Sequence, residues 1–205
     1  MKALVTAGPT FEPIDPVRFI GNRSSGKQGY AIAKALSENG FDVELISGPT
    51  NLPNINGVNM TRIETAKEML NKVQKALPVD VAIFCAAVAD WAPVYQDQKI
   101  KKDGGSLNLT FEENPDILKT IATSKNRPKL VIGFAAETQN LLENAKKKRQ
   151  KKNCDWILAN DVSENVFGND KNHVYLIGED EQQDWQVMSK IEIAEKLAQK
   201  IKENM

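Results

Sequence analysis

The 205-residue chain has one histidine, His173, and two cysteines, Cys85 and Cys154. A single histidine excludes a histidine-rich metal site and argues against a Ser-His catalytic triad. The two cysteines stand far apart in apolar stretches, so both read as buried free thiols and imply a reducing, cytoplasmic setting. Net charge is also missing: 27 Lys+Arg balance 27 Asp+Glu. A balanced chain has no long-range pull toward nucleic acid or an acidic membrane. No apolar run approaches the ~20 residues of a spanning helix, and Met1–Thr6 reads as a strand with no signal peptide ahead of it. The dinucleotide fingerprint G-x-G-x-x-G is absent from the first turn.

What is present alternates between strand and helix. Lys2–Thr6 is a short apolar strand, and Gly26–Asn39 is a helix stopped by Gly40. Phe41–Ser47 and Val58–Ile63 read as further strands. Thr65–Glu68 is a capping box opening a helix that buries Met69, Leu70, Val73 and Leu77. Val79–Ala87 is apolar on both faces, as in a central parallel strand. The rhythm breaks over Asp90–Gly105, a long loop with Pro93, Gly104 and Gly105 as breakers. Leu107–Phe111 alternates like an exposed strand, and Asn114-Pro115 reads as a helix start with asparagine as the cap. Leu130–Ala136 is a buried strand, Thr138–Lys152 a lysine-rich helix, and Asp155–Ala159 another strand. A hairpin follows, from His173–Ile177 and Asp184–Met188. Ser189–Glu192 then caps a final helix that buries Ile193, Leu197 and Ile201. The expected fold is α/β, Rossmann-like: a mostly parallel sheet with helices on both faces and a β-rich flap and hairpin extension, in one domain over residues 1–205.

Ligands of such sheets bind beyond the carboxyl ends of the strands. After the first strand, Gly21–Gly29 nearly matches the phosphate loop G-x-x-x-x-G-K-[ST]. It fails at Gln28, where a hydroxyl should stand, and lies well past the strand end. Its glycines, Ser24, Ser25 and a helix start at Gly26 still suit an anion. The bland alternative is a Gly/Ser-rich helix start without a ligand. Tyr30 and Lys34 match the Y-x-x-x-K pair of oxidoreductases but sit on the first helix, so Tyr30 reads as core and Lys34 as surface. After the fourth strand, Ala86–Asp90 offers small residues for a flat ligand and a carboxylate for a metal or a ribose hydroxyl. Lys99, Lys101 and Lys102 form a basic cluster in the loop, either solvated or a lid. Lys148 and Lys152, at i and i+4, share a helix face and could clamp a polyphosphate, leaving Lys146, Lys147 and Lys151 in water.

Together these segments resemble the phosphopantothenate–cysteine ligase family in its bacterial, CTP-using branch. The resemblance rests on Val5–Thr10, Asp15–Arg18, Asn22–Lys27, Ala86–Asp90, Lys99–Lys102, Asn114–Ile117, Gly133–Glu137 and Asn160-Asp161, in the family's order. It implies a ligase of coenzyme A biosynthesis joining 4′-phosphopantothenate to L-cysteine through an acyl-cytidylate, with Mg2+ on the CTP. By matching positions it implies catalytic roles for Asn22 and Lys99. Gly21, Ser24, Ser25 and Gly26 would hold the substrate phosphate. Nucleotide binding would fall to Ala86, Ala87, Asp90, Lys99, Asn114, Pro115, Asp116, Ile117, Phe134, Lys148 and Lys152, with Asp90 also the candidate metal ligand. It further implies a homodimer and a separate or fused flavin-dependent decarboxylase as a functional partner. A competing expectation is an NAD(P)-linked oxidoreductase on the same kind of sheet.

Overall fold

The computed structural model describes residues 1–102, 104–137, 139–161 and 171–205. Thr138, where the sequence places the start of the lysine-rich helix, lies outside them, as do the side chains of Glu137 and Asp161.

Twelve strands and five helices are described: β1 Lys2–Ala7, β2 Phe11–Pro13, β3 Phe19–Gly21, α1 Lys27–Glu38, β4 Asp42–Ser47, β5 Val58–Arg62, α2 Ala66–Ala76, β6 Val81–Phe84, β7 Trp91–Pro93, β8 Phe111–Glu113, α3 Ile117–Ala122, β9 Leu130–Glu137, α4 Leu141–Lys152, β10 Trp156–Asp161, β11 Lys171–Ile177, β12 Gln182–Ser189 and α5 Lys190–Asn204. The main sheet runs β12-β11-β10-β9-β6-β1-β4-β5. From β5 to β10 every neighbouring pair is parallel, while β11 and β12 are antiparallel. The hairpin therefore lengthens the sheet itself. It is not a separate extension.

Strand alternation builds two cores. Ala3 and Val5 of β1 and Val81 and Ile83 of β6 face α1 and α5, whereas Leu4, Ala82 and Phe84 face α2, α3 and α4. Strands apolar on both faces are what a sheet covered on both sides requires. Both capping boxes form. Glu68 N–H donates to Thr65 Oγ1 at 3.2 Å, and Glu192 N–H donates to Ser189 Oγ at 3.2 Å. Met69 and Val73 are buried, but Leu70 is half-buried and Leu77 lies past the helix end. Both still pack against the core on that face of the sheet.

Two local expectations are corrected. Asn114 does not cap α3; Asp116 does, accepting from Lys119 N–H at 3.0 Å. The exposed strand lies at Phe111–Glu113, paired with Trp91–Pro93, and Leu107–Thr110 forms no strand. The β2–β3 ribbon carries no periodic signal, being only three residues per strand. Its register is fixed by the stacked rings of Phe11 and Phe19, 4.1 Å apart.

The chain runs from β1 outward to β4 and β5, then returns through α2 to β6 on the other side of β1. The direction of winding reverses between β1 and β6. A crevice opens at that point, beyond the carboxyl ends of the two strands.

Candidate active site at the carboxyl ends of the central strands

The loops leaving β1 and β6 are stitched together. Ala87 N–H donates to Gly8 O at 2.9 Å, and Thr10 N–H donates to Ala87 O at 3.3 Å. The buried hydroxyls of Thr6 and Thr10 accept from Ala86 N–H at 3.3 Å and Ala89 N–H at 3.0 Å. Two threonines in the first motif are thus fasteners for the second. Asn22 completes the seam: its Nδ2 donates to Ala87 O at 3.3 Å and Val88 O at 3.1 Å. The residue is exposed, with its side chain lying over the switch point.

On one side of Asn22, α1 begins. Gly26 is its N-cap at φ 74° and makes no side-chain capping bond. A Cβ there would also lie 2.8 Å from Thr50 Cγ2, so glycine is required twice over. At this helix start Gly26 N–H donates to Ser24 Oγ at 3.4 Å and Lys27 N–H to Ser25 Oγ at 3.5 Å, and the positive end of the helix dipole suits an anion. It borders a cavity of about 800 Å³ lined by Ser24, Ser25, Lys27 and Arg62. Arg62 is spent on the wall, donating to Thr50 O, Leu52 O and Asn54 Oδ1. Gly21 does not line this cavity; it lies in β3 opposite Phe11. Gly29 serves packing, since a Cβ there would meet Ala7 Cβ at 2.5 Å where α1 crosses β1. Gln28 points the other way, donating from Nε2 to Lys190 O at 3.1 Å, at the start of α5. The residue that breaks the phosphate-loop pattern is a helix–helix tie.

Val88, which accepts from Asn22, lines a second cavity of about 500 Å³, within the size range of small-molecule sites. Thr6, Ala86, Asp90, Phe134 and the segment Asn114–Ile117 line it, together with Lys148, Lys151 and Lys152. Asn114 ties its walls, donating from Nδ2 to Ala89 O at 2.9 Å and from its backbone to Asp90 O at 2.8 Å. Lys152 forms an ion pair with Asp116. Lys151, expected in water, lines the same cavity, although exposed. Lys147 does stay at the surface, 2.6 Å from Glu143. Ala87 and Lys99 do not line this cavity.

The loop carrying Lys99 is fastened at both flanks to the turn between β2 and β3. Gln96 N–H donates to Ile14 O at 2.9 Å, and Ile100 N–H donates to Asp15 Oδ2 at 3.1 Å. Arg18 pairs with the same Asp15 and donates to Ile100 O at 2.9 Å. The Arg18 guanidinium, with three backbone N–H donors, holds the Asp15 carboxyl far below the usual carboxylate range. Lys99 itself is exposed.

Other candidates separate from this crevice. Tyr30 is buried, its hydroxyl 3.0 Å from Ser47 Oγ and 3.1 Å from Thr50 Oγ1, while Lys34 pairs with Glu38 at the surface. The oxidoreductase reading therefore loses its only residue pair. Burial pushes the Cys85 thiol up to about 12 and the Cys154 thiol up to about 11, so neither is a nucleophile near neutral pH. Among the described residues no group of three His, Cys, Asp or Glu side chains could hold a metal ion. Asp90 is exposed and belongs to no such group, so the donor set does not fit a metal held by the protein. No described helix is long and apolar enough to cross a membrane.

Comparison with known proteins places this geometry. A family model described as the DNA/pantothenate metabolism flavoprotein C-terminal domain matches residues 1–205. The chain is 43% identical over 204 residues to the coenzyme A biosynthesis bifunctional protein CoaBC of Haemophilus influenzae, covering 98% of this chain and 51% of that protein. It thus spans about half the length of the curated relatives it matches. The crystal structure of the C-terminal domain of a CoaBC protein superposes with a TM-score of 0.83 at 39% identity, covering 98% of this chain and 93% of that one. The DNA/pantothenate metabolism flavoprotein of Streptococcus pneumoniae superposes with a TM-score of 0.87 at 27% identity, each chain being covered completely. These likenesses agree with the resemblance read from the motifs, and the chain belongs to the family of the DNA/pantothenate metabolism flavoprotein C-terminal domain.

Proposed function

We propose that the chain is a CTP-dependent ligase that joins 4′-phosphopantothenate to L-cysteine, as a step of coenzyme A biosynthesis. The observation that carries this is Asn22, which stands two residues before Ser24 of the first cavity and bonds the Val88 carbonyl of the second, a cavity lined by three lysines.

In this reading the substrate phosphate sits against Ser24, Ser25 and the start of α1, where the positive end of the helix dipole favours an anion. The nucleotide occupies the second cavity, with its base and ribose along Ala86, Asp90, Asn114–Ile117 and Phe134 and its phosphates toward Lys148 and Lys152. The pantothenate carboxylate then reaches the α-phosphate across the Ala86–Val88 backbone. Its oxygen attacks phosphorus, the bond to the β-phosphate breaks, and pyrophosphate leaves. The cysteine amine next attacks the acyl carbon, loses a proton, and CMP departs. Asn22 gives up a bond to Ala87 or Val88 and donates it to the oxyanion, a contact stronger in the transition state than in the ground state. Lys99 supplies positive charge from the flap as charge builds on the transferring group.

Magnesium enters as the counter-ion of the triphosphate, since the protein's own donors do not form a site. Cysteine specificity and the choice of CTP over ATP belong to the same proposal, as does a cytoplasmic setting. A homodimer is proposed through the ribbons β2–β3 and β7–β8, which leave Phe19, Trp91 and Phe111 between 41% and 51% exposed. A flavin-dependent decarboxylase, separate or on the same polypeptide, would consume the product. The test is product formation with CTP, 4′-phosphopantothenate and cysteine, each omitted in turn and CTP replaced by ATP. Dependence on all three supports the reading, and turnover without 4′-phosphopantothenate contradicts it.

A further inference from the structure

We propose that Asp116 is an internal substitute for phosphate, a positioning residue that holds Lys152 before a polyphosphate arrives and recaptures it as pyrophosphate leaves. This rests on the nucleotide reading of the 500 Å³ cavity given above.

The Asp116 carboxylate has two tasks. Oδ1 accepts from Lys119 N–H at 3.0 Å and caps α3, while Oδ2 pairs with the Lys152 ammonium. The cap fixes the carboxylate to a helix end. Lys152, the last residue of α4, is the long and rotatable partner, so it is the one free to change sides. Both side chains are partly shielded, at 24% and 35% exposure, so solvent screens the pair only in part.

Charge around the cavity points the same way. The carboxylates of Asp90, Glu113 and Asp116 offset the ammonium groups of Lys148, Lys151 and Lys152. A cavity neutral as built gives an incoming triphosphate little net attraction. Transfer of Lys152 from carboxylate to phosphate supplies a cation where it is needed, at the cost of an unpaired Asp116. The reverse transfer offsets the loss of the phosphate contact and eases product departure. Asp116 thus loosens the binding of both triphosphate and pyrophosphate by acting through Lys152.

The test uses D116N, since asparagine caps helices as well as aspartate does but carries no charge. Calorimetry with CTP and with inorganic pyrophosphate should show both bound about fivefold more tightly than by the wild type, the scale of one partly screened ion pair. K152Q should weaken both, and the double variant D116N/K152Q should lose the gain. D116S, which also keeps a capping oxygen, should behave as D116N and serves if D116N unfolds. Unchanged or weaker binding by the Asp116 variants overturns the inference, as does a gain that persists beside K152Q. A wild type that binds neither ligand overturns the nucleotide reading, and this inference with it. A wild type that binds both while D116N binds less overturns this inference alone.

Discussion

The Asn22 side-chain amide lies 3.1 Å from the Val88 carbonyl oxygen, a contact between residues 66 positions apart that closes the seam between β1 and β6. It puts the donor end of an exposed amide beside the strand-end backbone, at Val88 of the 500 Å³ cavity and two residues before Ser24 of the 800 Å³ cavity.

Asn22→Asp is expected to lower kcat about 100-fold or more, the scale of a lost oxyanion donor. The same change faces a carboxylate toward two carbonyl oxygens, which costs about 1–2 kcal/mol at an exposed site. That corresponds to a fall of roughly 2–8 °C in the thermal midpoint for a domain of this size. Steady-state kinetics and thermal unfolding on one preparation separate the two effects. Wild-type kcat in the variant would remove Asn22 from the chemistry.

Lys99→Gln should slow turnover without abolishing CTP binding, because Lys99 does not line the 500 Å³ cavity proposed for the nucleotide. Its loop remains tied through Ile100 to Asp15 and Arg18. Calorimetric loss of CTP binding would make Lys99 a ground-state ligand and not a flap residue.

Asp15 gives a signed pH dependence. Its carboxyl is held below the ordinary aspartate value by Arg18, with help from the backbone N–H groups of Val17, Ile100 and Arg18. A depressed folded-state value means the stabilisation is fully present above the unfolded value of about 3.9. It is lost as pH falls through that range toward the folded value. The stability gap between wild type and Asp15→Asn should therefore be widest near pH 7 and shrink as pH drops from about 5 to 3. Denaturant melts across that range measure it, and a gap independent of pH would mean the Asp15 charge adds nothing.

Much of this was legible in the sequence because it is periodic or local. Val81–Phe84, apolar on both faces, announces a central strand, and Thr65–Glu68 and Ser189–Glu192 announce helix starts within four residues. The motifs naming Asn22, Asp90 and Asn114 lie together in the fold as well. What escaped is decided by distant partners. The cap at Asp116 depends on Asn114 being drawn to Ala89 and Asp90. The Gln28 side chain takes its direction from Lys190, 162 residues away. Lys151 lines the cavity beside Lys152 in the last turn of α4, a placement that helical spacing alone does not reveal.

The most direct test of the central claim is exchange of radiolabelled pyrophosphate into CTP, measured without cysteine. If acyl-cytidylate forms across the seam at Asn22, exchange appears only when 4′-phosphopantothenate is present, and falls sharply in Asn22→Asp. Exchange that ignores 4′-phosphopantothenate, or no exchange while the CTP site is demonstrably occupied, would contradict the account.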